Sequence, residues 1–121
     1  MNLDLFTQIL NIGSENKQII ERMRNSGIEA ASFDRSYKMA RAQKMLELRA
    51  SGMPASMVEK AAEGDDGVSN LRFKAECAAA SQAADKELIQ NNKKIMDALK
   101  SQMEFERVSS DMTEGYYSEY Q

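Results

Sequence analysis

A chain of 121 residues, 42% hydrophobic and 29% charged, has the composition of one folded domain and not of a disordered segment. The complete absence of histidine removes the commonest general base, the usual partner of a nucleophilic Ser or Cys, and the commonest nitrogen metal ligand. With one proline and six glycines, the long segments are left to Ala, Met, Leu, Glu, Lys and Gln, all good helix formers, so the expected fold class is all-α.

Leu3, Phe6, Ile9 and Leu10 recur at helical spacing up to Gly13, and Ser14 caps a further set with Ile19, Ile20 and Met23. The expectation is a broken N-terminal helix over 2–25, ending at Asn25-Ser26-Gly27. Ser32 is the N-cap expected for a second helix over 32–51, which the glycine of Ser51-Gly52 and then Pro54 would stop. On this helix Met39, Ala42, Leu46 and Ala50 share one face and Phe33, Tyr37, Met45 and Leu48 lie on the other, so it needs two neighbours. A short helix over 54–63 carries Met57, Val58 and Ala61 and ends at Gly64. Asp65 and Asp66 then suit the positive start of a long helix over 67–107.

Along that last helix the spacing four, three, four, three selects Leu71, Ala75, Ala78, Gln82, Asp85, Ile89, Asn92, Met96, Leu99 and Met103, a coiled-coil seam. Its alanines let another helix approach closely, its polar members fix register and partner number, and Leu88 and Ile95 widen the stripe. Such a helix is roughly 60 Å long at 1.5 Å per residue. A compact chain of this size has a radius of gyration of only about 14 Å. The expected architecture is therefore an elongated helical hairpin or bundle over 1–108, oligomeric through this seam. Residues 109–121, with Asp111, Glu114, Tyr116, Tyr117 and Tyr120, show no apolar period and read as an acidic, tyrosine-containing tail.

Cys77 is the only cysteine, which excludes an intrachain disulfide and fits a reducing compartment. Among Ala75, Ala78, Ala79 and Ala80 it reads as a small packed residue and not a nucleophile. No stretch approaches the roughly 20 apolar residues of a membrane span, and Asp4 stands where a signal peptide would be basic. The expected location is the cytoplasm. Asp65 and Glu76 have the outer spacing of a calcium loop, but Asn70 replaces the required glycine, so a capped helix start is the preferred reading. No phosphate-binding loop occurs, and no cofactor or metal is expected.

The one nucleic-acid candidate is the basic set Arg35, Lys38, Arg41, Lys44 and Arg49, with Phe33 and Tyr37 available to stack on bases. These cations fan around the helix, so a solvated face with local pairs such as Glu47 with Lys44 is the competing reading. Nine methionines, among them Met39, Met45, Met53, Met57, Met96 and Met103, supply either core or an adaptable groove.

The run Lys44-Met45-Leu46-Glu47-Leu48-Arg49-Ala50-Ser51-Gly52-Met53-Pro54, then Glu63-Gly64-Asp65, then Leu71-Arg72-Phe73-Lys74-Ala75-Glu76 resembles small helical proteins of bacteriophages and prophages encoded near recombination and replication genes. The outline over roughly 37–103 is similar, more loosely, to the recombination mediator of T4-like phages, which implies an oligomer with single-stranded DNA and protein partners. The expected function is thus a non-catalytic accessory module of recombination or replication, acting in the host cytoplasm. Its alternatives are a protein-directed inhibitor of a host defence factor and a scaffolding protein of virion assembly. No small-molecule substrate and no membrane partner are expected.

Overall fold

The computed structural model describes residues 3–119, the side chains of residues 114 and 116–119 excepted. Its fold is an all-α helical hairpin of three helices: α1 over Leu3–Ala50, α2 over Ala55–Glu63 and α3 over Asp66–Glu119. Two compact units divide the chain, one formed by the residues up to Glu21 with those from Asp85 onward, the other by Arg22–Ala84. In each unit a segment of α1 packs antiparallel on a segment of α3.

The helices expected over 2–25 and 32–51 are one helix, and Ser14 and Ser32 are exposed interior residues, not caps. The physical reason is a row the glycines conceal. Leu5, Ile9, Ile12, Asn16, Ile19, Met23, Ser26, Ala30, Phe33, Tyr37, Ala40 and Lys44 follow the four-three spacing of a seam, and all are at least partly covered. An interior glycine costs a helix only about 1 kcal/mol, which this packing offsets. Both glycines sit where α3 comes close. A Cβ at Gly13 would lie 3.9 Å from Met96 Cε, and one at Gly27 would lie 2.7 Å from Gln82 Nε2. Because 3.9 Å is ordinary contact, Gly13→Ala removes the glycine penalty without a clash. It is expected to stabilise the unit by about 0.5–1 kcal/mol, a rise that denaturant unfolding followed by circular dichroism will show.

In the unit containing both chain ends the most deeply buried apolar residues among those described are Leu5, Ile19 and Ile89, and three polar side chains, Asn16, Asp85 and Asn92, are buried with them. Asn92 Nδ2 donates a 2.8 Å hydrogen bond to Asn16 Oδ1. This pair satisfies two amides that would otherwise each cost about 1–3 kcal/mol in an apolar seam, and it ties one register of α1 on α3.

The other unit contains the corner. α1 ends as Gly52 takes φ 96°, a left-handed conformation that favours glycine. Its N–H donates to the Arg49 carbonyl at 3.0 Å and Met53 N–H donates to that of Leu48 at 3.1 Å, the double closure of a Schellman motif. Pro54 then starts α2, whose Val58 and Ala62 are almost fully covered, as is Val68 in the first turn of α3. Asp65 caps α3 by accepting the Val68 N–H at 3.1 Å.

The ten seam residues from Leu71 to Met103 are the covered positions of α3 over that stretch, and every residue between them is exposed. They are spent within the chain, because α1 supplies the complementary row, so the expected use of this seam between copies gives way to an intrachain one. The helix expected to stop at 107 runs on to Glu119 and absorbs most of the segment read as a tail. Arg107 holds this extension in helical form, bonding Glu104 at 2.5 Å and Asp111 at 3.1 Å at spacings of three and four. The side chains of Tyr116 and Tyr117, and all of Tyr120, lie outside the described residues.

Candidate interaction site at the helical corner

Antiparallel packing in the Arg22–Ala84 unit brings the middle of the basic segment of α1 against the acidic end of α2 and the start of α3. Glu63 is the hub. Its Oε1 accepts both the Tyr37 hydroxyl and Arg41 Nε at 2.5 Å, and its Oε2 lies 3.5 Å from Arg72 Nη1. Arg41 reaches Glu59 as well, at 2.7 Å, while Arg72 Nε bonds Glu76 at 3.0 Å. Lys44 sits 3.5 Å from Asp65 and 3.8 Å from Glu47.

The hydrogen bond from Tyr37, aided by Arg41 and Arg72, holds the Glu63 carboxyl below its ordinary value of 4.5 against the opposing effect of burial. The same bond to Glu63, followed by burial, raises the Tyr37 phenol above 10.0. Asp65 is lowered chiefly by the Val68 N–H it accepts, with Lys44 adding to the effect. A carboxylate with a lowered folded value stabilises the fold above its unfolded value, and that stability is lost as pH falls through the folded one. Tyr37 acts in the opposite direction, its contribution fading as pH rises past its raised value. Glu63→Gln is therefore expected to flatten the fall in Tm on acidification below the ordinary carboxylate value of 4.5, measured by thermal melts against the parent chain.

These contacts decide what the cations of the basic segment do. Arg41 and Lys44 belong to the corner cluster, Lys38 pairs with Asp34 on its own helix at 2.9 Å, and Arg49 donates to the Met53 carbonyl at 2.9 Å beyond the end of α1. Arg35 alone of the five makes no such bond among the described residues. The two aromatic side chains available for stacking on bases are engaged too. Lys74 Nζ stands 5.8 Å from the Phe33 ring centroid, and the Tyr37 hydroxyl is held by Glu63. The five cations thus form no open row. Sequence reasoning missed Glu59, Glu63 and Arg72 because their partners lie 9 to 26 residues away along the chain.

Asp65 and Glu76, the ends of the calcium-like spacing, serve as helix cap and as partner of Arg72. Cys77 is exposed instead of packed, because it falls between the covered positions Ala75 and Ala78. It lines a shallow groove with Phe33 and Lys74.

On the side of α1 turned away from the ionic cluster, Ala42, Met45, Leu46 and Arg49 meet Ala55 and Val58 of α2 around an open apolar groove of about 440 Å³. Leu46 is 73% exposed at its wall, and Met39 and Met57 are exposed as well. The second apolar face read from Met39, Ala42, Leu46 and Ala50 is exposed at all four positions. The methionines divide: Met39, Met57 and Met112 are exposed, while Met23, Met45, Met53, Met96 and Met103 are partly covered. No helix among the described residues is long and apolar enough to cross a membrane. Comparison of the chain with protein-family models, curated proteins and solved structures gave no match.

Proposed function

We propose that this protein is a non-catalytic helical binding module that engages a protein partner through the apolar groove at its corner, in an accessory role of the kind its resemblance to phage recombination and replication proteins implies. The carrying observation is the contrast between the two faces of the corner. The ionic face is closed on itself by Glu59, Glu63, Asp65, Arg41, Lys44 and Arg72. The other face leaves Leu46 73% exposed at the wall of an open apolar groove that Met45 also lines. A methionine in a groove wall, here Met45, suits binding because an unbranched thioether chain adapts to a partner's shape. An amphipathic helix laying its apolar face against the groove is the fitting occupant.

This reading favours protein over single-stranded DNA, because four of the five cations that would meet phosphates already hold acceptors within the chain. A fluorescent single-stranded oligonucleotide titrated at about 50 mM salt is expected to show no binding. Tight binding that weakens steeply with added salt and is lost in Arg35→Ala would transfer the function to DNA. For the protein reading, a photo-crosslinking residue at position 46 in the intact chain is expected to trap a partner in cells, and the same residue at Asn70, exposed on α3, is not. Equal trapping at both positions would sink the groove as the site.

A further inference from the structure

From Arg107 to Thr113 every side chain of α3 is exposed, so this stretch is helical without burying anything inside its own chain. A segment this short is marginal as a helix in water. This stretch and the residues just before it nevertheless carry large apolar side chains, Phe105 at 72% exposure, Met112 at 70% and Val108 at 41%. These belong to a second seam on the outer face of α3: Lys94, Ala98, Ser101, Phe105, Val108 and Met112 keep the four-three spacing, and all six are exposed. One position ahead of each lies a charged residue, in the order Lys93, Asp97, Lys100, Glu104, Arg107, Asp111. The signs run plus, minus, plus, then minus, plus, minus, so the pattern inverts about its own midpoint.

We infer that this outer face of α3 pairs antiparallel with the same face of a second copy, giving a two-fold symmetric dimer centred near Met103. Both features point to that arrangement. An isologous contact must be self-complementary, and a charge row that inverts about its centre is so only when the two helices run in opposite directions. Lys93 of one copy then stands level with Asp111 of the other, Asp97 with Arg107, and Lys100 with Glu104. A parallel pairing would set this row against the other flank of the second copy, where Ile95, Gln102 and Ser109 offer it no opposite charges. A register two residues away, a slide of about 3 Å that the long Lys, Arg, Glu and Asp pairs can span, places each large residue against a small or flexible one: Phe105 meets Ser101, Val108 meets Ala98, and Met112 meets the alkyl stem of Lys94. Of the charged row, Lys100 and Glu104 of both copies lie nearest the axis. The Arg107 bonds to Glu104 and Asp111 within one chain hold these side chains on the flank that the second copy approaches. The dimer face lies on the outer side of α3 and not at the corner groove, so it stands independently of the protein-partner reading above.

The test is the solution mass of the full chain by light scattering at about 100 μM, with circular dichroism on the same samples. The parent chain is expected at twice the chain mass, and Phe105→Glu with Val108→Glu at the mass of one chain with its helical signal largely retained. Lys100→Glu and Glu104→Lys are each expected to weaken the dimer at least tenfold, since each sets like charges level across the axis. Mixing the two is expected to restore it, because the mixed pair again matches opposite charges. A monomeric parent chain, a dimer indifferent to glutamate at 105 and 108, or a mixture no tighter than its components would overturn the proposal.

Discussion

Val58→Asp is expected to melt α2 and loosen both helix ends at the corner, a loss of about 4 kcal/mol or more from the Arg22–Ala84 unit. Val58 is 2% exposed and Ala62 beside it on the same helix is 0% exposed, so a carboxylate there would be taken almost wholly out of water. Removing the valine forfeits about 2 kcal/mol of apolar burial, and the unpaired charge adds the larger share. A nine-residue helix has no stability apart from its packing. The corner should therefore open as one body, releasing the Glu63 hub with it. Amide exchange will show the change as lost protection across Ala55–Glu63 and the first turns of α3. Protection unchanged at those amides would mean that α2 does not depend on the Val58 contact.

The second large effect is expected at the Asn16–Asn92 pair. Asn92→Leu alone strands the Asn16 amide in an apolar seam and should cost about 1–3 kcal/mol, whereas leucine at both positions should raise stability above that of the parent chain. The gain should come with a loss of uniqueness. An all-apolar row tolerates sliding of α1 on α3, which a buried hydrogen-bonded amide pair resists. Denaturant melts give the two stabilities, and the count and width of amide resonances from residues 3–21 report how many registers are populated. A double-leucine chain both more stable and equally well dispersed would show that packing alone sets the register. The single variant also guards the interpretation, since equal stability of all three chains would mean the hydrogen bond contributes nothing.

Much of α3 is legible in the sequence because its row from Leu71 to Met103 has an uninterrupted four-three period, and burial follows that row residue by residue. The matching row on α1 has the same period, from Leu5 to Lys44, but it is hidden as long as Gly13 and Gly27 are weighted as helix breaks. Within a seam a glycine marks where the facing helix carries a long side chain, here Met96 and Gln82, and the period around it is the better guide. The corner is legible as punctuation in Gly52, Pro54, Gly64 and Asp65, and each performs the turn or cap its chemistry suits. The basic segment is the least readable feature. A row of cations looks alike in sequence whether it faces water, phosphate or a carboxylate brought from another helix.

Local propensity, turn chemistry and spacing along one helix are enough to establish that the chain is helical, where it turns, and which face of α3 is buried. Packing between helices is what makes α1 unbroken and fills the first seam from within the chain. Packing also places Arg41, Lys44 and Arg72 on Glu63, Glu59 and Asp65. Each of these outcomes depends on which residue of one helix stands opposite which residue of another. That register is set by non-local contacts such as Asn16 with Asn92, 76 positions apart, which no single window of sequence contains.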